Sequence, residues 1–490
     1  MGTHAQKHGK RLLYHWLIGI AALFPLLLAA CGGAATTPGG SQAITLKIMD
    51  YSPEQAAFHK AVAAEYQKTH PNVTIQWQSI AQAQYLQALP LAFQSHQAAD
   101  IIYWANGVVS MSQLLSQGWI RSLSPDGKVP QDWMTRWPTN TFQEGINMHN
   151  GQVYGFPFTD NIIWGPGYMY YNKSIFQAAG LTQPPTTWSQ LKSDCETIKS
   201  KTGKYCLSVP LKGVDFQRIW YALAGKSMTN SFFDYKTGQY DLTEPRMLKA
   251  FTFIQSLYQE QLAIPGVNDK AISRQQMAAG QAAIYFDGSW MPTTFTQLGF
   301  AYPAYGVAQA PVPDDGPIGA LSIQNTENKY WVSSQTTHAQ EAWDFIQWMT
   351  QPDGFFVKGY LNGGFGTLAY TDNAKNLTDP GEKAVADVSK GLRVAYPEPL
   401  LQCPDLAKSQ AFTKSATFHP NWEWEVMVDA LVNHKDLAPL AQQVVNGRQQ
   451  ILDQGLQQDQ TKGLKVSKSC YAFSSWDYSQ NFDPANYPKS

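Results

Sequence analysis

Aromatic side chains recur beside carboxylates or amides in this sequence of 490 residues. Tyr51 lies near Glu54, Trp104 near Asn106, Trp164 near Asp160 and Asn161, Trp290 near Asp287, and Trp422 and Trp424 flank Glu423. A flat ring gives a stacking surface for apolar C–H faces, and a planar polar neighbour can hydrogen-bond hydroxyls. That combination suits an uncharged, polyhydroxylated molecule such as a sugar. The same carboxylates could instead work as acid and base on a glycosidic bond, provided two of them meet in space at roughly 5 to 9.5 Å. Core packing accounts for about half of such rings taken singly. Five clusters at strand ends and loops are harder to assign to packing.

Other chemistries fail on their own terms. Ser189-Gln190-Leu191-Lys192, Lys201-Thr202-Gly203 and Lys236-Thr237-Gly238 resemble pieces of a serine β-lactamase, but Ser193-Asp194 is followed by Cys195 rather than Asn. Gly364 to Ala369 fits a dinucleotide fingerprint in letters only, with no strand before it and no βαβ frame around it. Neither a zinc-protease H-E-x-x-H nor a G-x-S-x-G nucleophile elbow occurs, so no catalytic residue, metal ligand or cofactor is expected.

The elements that would carry the aromatic clusters follow from periodicity. Ile44, Leu46 and Ile48 alternate as a strand, with Ser52, Pro53 and Gln55 as a helix start and Phe58, Val62 and Tyr66 at helical spacing. VTIQWQ alternates again from Val73, which completes a βαβ unit. DIIYW (100–104), GYMYYN (167–172) and AAIYF (282–286) read as further strands, Lys173 to Ala179 as a helix before Gly180, and Thr187 with Gln190 as another capping box. Strands alternating with helices predict α/β lobes with mainly parallel sheets, whose ligands sit beyond strand carboxyl ends. The length exceeds one core of roughly 250 to 300 residues, so two lobes are expected.

Charged residues make up 15% and aromatics 13%, with 16 Trp. The first thirty residues pair a basic stretch, Lys7 to Arg11, with an apolar run of 15 residues from Trp16 to Ala30, in the range of an export signal and short of a membrane span. Removing them takes Lys+Arg from 36 to 33 against 37 Asp+Glu, so the net charge moves from −1 to −4. With no basic run, nucleic acid is excluded as an expected partner. Leu28-Ala29-Ala30-Cys31 resembles the lipobox of bacterial lipoproteins, which implies acylation of Cys31 and a flexible tether over 31–42. The remaining alternatives are an ordinary secretory signal or an uncleaved single-span anchor. Setting Cys31 aside leaves Cys195, Cys206, Cys403 and Cys470, an even set in an exported chain. Four cysteines allow three pairings, and Cys195 and Cys206 are near enough to join a helix to the next strand.

From Ile44 onward the chain resembles the extracellular solute-binding proteins of ABC importers, in the carbohydrate-binding family that includes the maltose-binding protein. The likeness rests on ADIIYWANG with GWIRSLSP, on NGQVYGFPF leading to YMYYNKSIFQAAGL and PPTTWSQL, on MAAGQAAIYFDGSW, and on YGVAQAPVP with HAQEAWDFIQWMT. The resemblance implies a type II periplasmic-binding-protein-like fold, two α/β lobes joined by hinge strands near Tyr154 to Pro157, near Tyr305 to Gln309 and close to residue 352. Lobe 1 would then be 43–154 and 310–352, lobe 2 155–309 and 353–490. It further implies a monomeric, non-enzymatic receptor that delivers a carbohydrate to permease subunits from the extracytoplasmic face of the cell membrane. The ligand contacts it implies are Tyr51, Glu54, Trp104, Asp160, Trp290 and Trp422, with Asn106 where a charged partner is often found. Trp164 and Trp424 join them from the clusters above. An anchored glycoside hydrolase, or the same fold holding a peptide or polyol, remains the competing reading.

Overall fold

The alternation at Ile44, Leu46 and Ile48 becomes the first strand because it places those side chains on one face, where Leu46 and Ile48 are buried. The computed structural model describes residues 43–486 apart from 81, 104–110, 138–140, 144–145, 160–166, 226–231, 318, 320, 324–327, 371–372, 390–392, 420, 481 and 484–485. Within these residues the two larger sheets use β1 (Ile44–Asp50), β2 (Val73–Ser79), β3 (Ile101–Tyr103), β4 (Ile120–Arg121), β5 (Tyr168–Asn172), β6 (Tyr205–Ser208), β7 (Ala282–Asp287), β8 (Tyr305–Gln309) and β9 (Tyr330–Ser333). The helices that bear on the argument are α1 (Ala56–Thr69), α2 (Gln82–Gln94), α3 (Gln217–Ala224), α4 (Met291–Gln297), α5 (Ala339–Met349), α6 (Phe355–Asn362), α7 (Pro380–Val388), α8 (Ala411–Thr417), α9 (Trp422–Val432) and α10 (Leu437–Thr461).

The first sheet has the order β2-β1-β3-β9-β4, and the second β8-β5-β7-β6. Sequence alternation predicts mainly parallel sheets, and this is corrected: β9 runs antiparallel to β3 and β4, and β5 antiparallel to both β7 and β8. The rule that favours parallel pairing concerns strands linked by a crossover on the same sheet. Strand β9 follows a passage through the other lobe, so that constraint does not apply to it.

Each sheet has a large core. In the first lobe, Leu46, Ile48, Ile101, Tyr330 and Val332 pack with Val62 and Tyr66 of α1 and with Phe345 of α5. In the second, Met169, Leu207, Ile284 and Phe286 pack with Trp220 of α3 and Met427 of α9. Burying such a side chain contributes roughly 1.5 to 3 kcal/mol.

The core membership bears on where the chain passes from one sheet to the other. Phe156 and Phe158 belong to the first core, as do Phe356, Tyr360, Leu361, Leu368 and Leu377. These side chains therefore pack with the first sheet rather than the second. Ala310 lies in the second core, and Val312 bridges Thr187, so the chain remains with lobe 2 beyond residue 309. Tyr305–Gln309, where a hinge strand is expected, is a strand paired along its length with β5.

Local signals meet the structure unevenly. Thr187 caps its helix by accepting from Gln190 N–H, while Gln190 Oε1 reaches back to the Thr186 amide at 2.9 Å. Gly180 closes the preceding helix in the left-handed region. Ser52, by contrast, makes no side-chain cap, and a 3-10 turn at Pro53–Gln55 precedes α1. Two disulfides are present, Cys195–Cys206 and Cys403–Cys470. The second ties a C-terminal satellite core that holds Phe233, Tyr240, Leu452, Tyr471 and Trp476. Among the described residues no helix is long and apolar enough to cross a membrane, and no three His, Cys, Asp or Glu group as for a metal.

Candidate functional site

Strand β1 ends on Asp50, a carboxylate on the same face as Leu46 and Ile48 and only 1% exposed. Burial without partners would be costly, so the surrounding turn supplies them. Ser52 N–H donates to Oδ1 at 3.1 Å and Trp77 Nε1 to Oδ2 at 2.8 Å. His59 of α1 lies 3.6 Å from the same carboxylate, stacks on Trp77 with ring centroids 4.0 Å apart, and has Nδ1 3.1 Å from Ser79 Oγ. Burial, opposed by the Asp50 charge, pulls the His59 imidazole down to about 4, so it is neutral at neutral pH. The turn tied down in this way carries Tyr51, whose ring stands edge-on to Tyr85 and Tyr103 at 5.3 and 5.1 Å. Glu54 lies in the 3-10 turn that follows.

The second lobe repeats the device. Strand β7 ends on Asp287, which is fully buried and accepts from Arg218 Nε at 3.1 Å, from Arg274 at 2.9 and 2.8 Å, from Tyr285 at 2.9 Å and from the Gly288 amide at 2.9 Å. Asp215 takes the other arm of Arg218 at 2.9 Å. Tyr170 donates to the Gly288 carbonyl at 2.7 Å. This fixed turn presents Trp290, half-buried at the start of α4, with its indole folded over Gly288. A Cβ on Gly288 would lie 2.2 Å from that ring, so a side chain there would displace the indole.

The remaining expected contacts divide. Trp104, Asn106, Asp160 and Trp164 lie outside the described residues, as does Cys31. Trp422 is half-buried at the start of α9, beside Phe418 and His419 and against Gly447 of α10. Trp424 is corrected to a core residue: it is 7% exposed, edge-on to Tyr221 and Phe232. Two positions apart on a helix, Trp422 and Trp424 point about 200° from each other and cannot share one ligand. Glu423 between them is held by Arg448.

Sequence reasoning paired Asp287 with Trp290 as a ligand-side group rather than an anchor, and missed Asp50, His59, Arg218 and Arg274. A signal existed for the aspartates. Each sits at the end of an apolar strand, where a charge on a buried face demands partners. A groove of about 940 Å³, lined by Lys47, Gln76, His96, Asp100, Gln335 and His338 among others, opens where β3 begins, at the opposite end of that strand from the turns just described.

The two α/β lobes that carry these turns have the fold of type II periplasmic binding proteins. A model of the bacterial extracellular solute-binding protein family covers residues 50–354, and the chain belongs to that family. It is similar to a binding protein of Brucella abortus, 24% identical over 359 residues that make up 72% of this chain and 81% of the relative. A multiple sugar-binding protein of Streptococcus mutans is 21% identical, over 68% of this chain and 77% of its own. Among solved structures, a receptor of Streptomyces glaucescens determined unliganded and with acarbose superposes with a TM-score of 0.64 at 16% identity, over 84% of this chain and 99% of the receptor.

Proposed function

We propose that this chain captures an uncharged oligosaccharide between its two lobes and presents it to the permease of an ABC importer. The observation that supports this most is the pair of aspartate-fixed turns, which bring Tyr51 and Trp290 to the carboxyl ends of strands in opposite sheets, where ligands of open α/β sheets bind. The low charge fits a neutral guest. Trp104, Asn106, Asp160 and Trp164 are further candidate contacts. Ligand would favour the closed arrangement by its differential affinity for it. Two of the carboxylates beside aromatics serve structure, Asp287 being saturated by arginines and Glu423 by Arg448, which argues against acid–base work by either on a glycosidic bond.

A thermal-shift panel of malto-, cello-, xylo- and chito-oligosaccharides, with a polyol and a peptide alongside, tests the reading. A true ligand at 100 times its dissociation constant adds about 2.7 kcal/mol. Trp290→Ala should weaken that ligand by about tenfold or more with little change in melting of the free protein. A shift from the peptide alone would remove the carbohydrate assignment.

The anchoring follows the lipobox-like stretch before Cys31. Two or more acyl chains hold stably, at about 0.8 kcal/mol per buried methylene. The Cys31→Ala variant should move from the membrane pellet to the soluble fraction on cell lysis. Its retention in the pellet would contradict acylation.

A further inference from the structure

Helix α7 touches both lobes. Val385 lies in the satellite core behind the second sheet with Tyr168, Tyr170 and Tyr305, whereas the adjacent Ala386 packs against the first core. At its first turn it meets two other helix ends. One is the carboxyl end of α6, whose Phe356, Val357, Tyr360 and Leu361 belong to the first core. The other is the start of α4, whose Met291 and Phe295 belong to the second lobe. Between them, Thr293 Oγ1 of α4 donates to the Gly363 carbonyl at 3.0 Å, a hydrogen bond from lobe to lobe.

Glu382 of α7 is aimed into this junction. It is 8% exposed, and its Oε1 has no hydrogen-bond partner. Gly364, at φ +66°, passes so close that a Cβ there would lie 1.8 Å from Thr293 Oγ1 and 2.5 Å from Glu382 Oε1. The groups facing the carboxyl are Asp379 at the helix N-cap, which accepts the Glu382 amide at 2.9 Å, Tyr305 of β8 and Tyr170 of β5, with the Thr293 hydroxyl from α4. None of these is a cation. Thr293 has one hydroxyl proton, and the Gly363 carbonyl takes it. While that bond is kept, the hydroxyl can only accept from Glu382, so the unbroken chain needs a proton on the carboxyl; an ionised Glu382 can take the Thr293 proton only at the expense of the bond to Gly363.

We propose that Glu382 is a proton-carrying latch between the lobes: protonated, it donates to Thr293 Oγ1 and completes a chain from α7 through α4 to the end of α6; ionised, it lets the junction part. The latch regulates the site proposed above and rests on that reading only for its effect on ligand capture. Burial first, and then the Asp379 charge, pushes the carboxyl up to about 8, against the pull of the Thr293 hydroxyl. Once the lobes separate and water reaches the group, its affinity for the proton falls towards that of an ordinary glutamate. The present arrangement is therefore favoured at low pH, and that preference is lost as pH rises through about 8.

The test uses the ligand-free protein. Small-angle scattering from pH 5.5 to 9.5 should show wild type shifting towards separated lobes, a change of about tenfold or more in the population ratio. The Glu382→Gln variant keeps a donor at every pH and should give a flat profile. Thr293→Ser should behave as wild type, and Thr293→Val should resemble wild type at high pH even at pH 6, which preserves the test if the glutamine variant folds poorly. His59 titrates near 4, below this window. A flat wild-type profile, or a glutamine variant that follows wild type, overturns the latch. Since no sugar is present, either result leaves the carbohydrate assignment to the melting panel.

Discussion

Replacing Arg448 by methionine should lower the unfolding free energy by about 3 to 5 kcal/mol, read from urea melts of the mature chain. Arg448 projects from the middle of α10 and is 2% exposed. Its Nε and Nη2 hold both oxygens of Glu423 in the first turn of α9. Its Nη1 donates to the carbonyls of Ser415, Ala416 and Phe418, at 2.5, 3.0 and 2.9 Å, where α8 ends. One buried guanidinium thus ties three helices together. Methionine would fill much of the volume and satisfy none of its partners, leaving a buried carboxylate unpaired. Adding Glu423→Gln to the variant should recover part of the loss, because the stranded charge is gone. A single-variant loss below about 1 kcal/mol would mean that these helices are held by packing alone.

Removing the Cys403–Cys470 bridge by a double change to serine should cost about 4 kcal/mol. The two cysteines are 67 residues apart, against 11 for Cys195 and Cys206, where the same loop-closure account gives about 3 kcal/mol. The longer loop encloses α8, α9 and α10, and the bridge holds the satellite core of Phe233, Tyr240, Tyr471 and Trp476. Limited proteolysis of the serine variant should cut first within this C-terminal region, while the two sheets stay protected. If the short bridge proves the costlier to lose, loop closure is not what the long one contributes.

Much of the scaffold could be read from the residues. The alternation of Ile44, Leu46 and Ile48, the cap at Thr187 and the left-handed Gly180 are local signals with local consequences, and each produces the element it announces or its neighbour. Strand direction was less legible. Nothing in Tyr330 to Ser333 says that the chain has just returned from another lobe, and so its antiparallel pairing with β3 and β4 is set by connectivity rather than by composition. The assignment of Phe356 and Tyr360 to the first core was equally illegible, since such side chains would suit either core. Of the candidate contacts, Tyr51 and Trp290 follow strand ends, a relation that periodicity can find, whereas Trp424 needed its helical phase to be recognised as core. The arginines around Asp287 come from residues 218 and 274, far apart in sequence, and only the fold unites them.

On the function proposed here, the strand-end aspartates anchor the turns and the neighbouring rings meet the guest, which separates two duties that many sites combine in one residue. Tyr51 and Trp290 can then be exchanged for other side chains without unravelling the loops that bear them. Such a scaffold is well disposed to changing its diet: new preferences can arise by swapping rings, and the same economy makes it a convenient starting frame for sensors of chosen glycans.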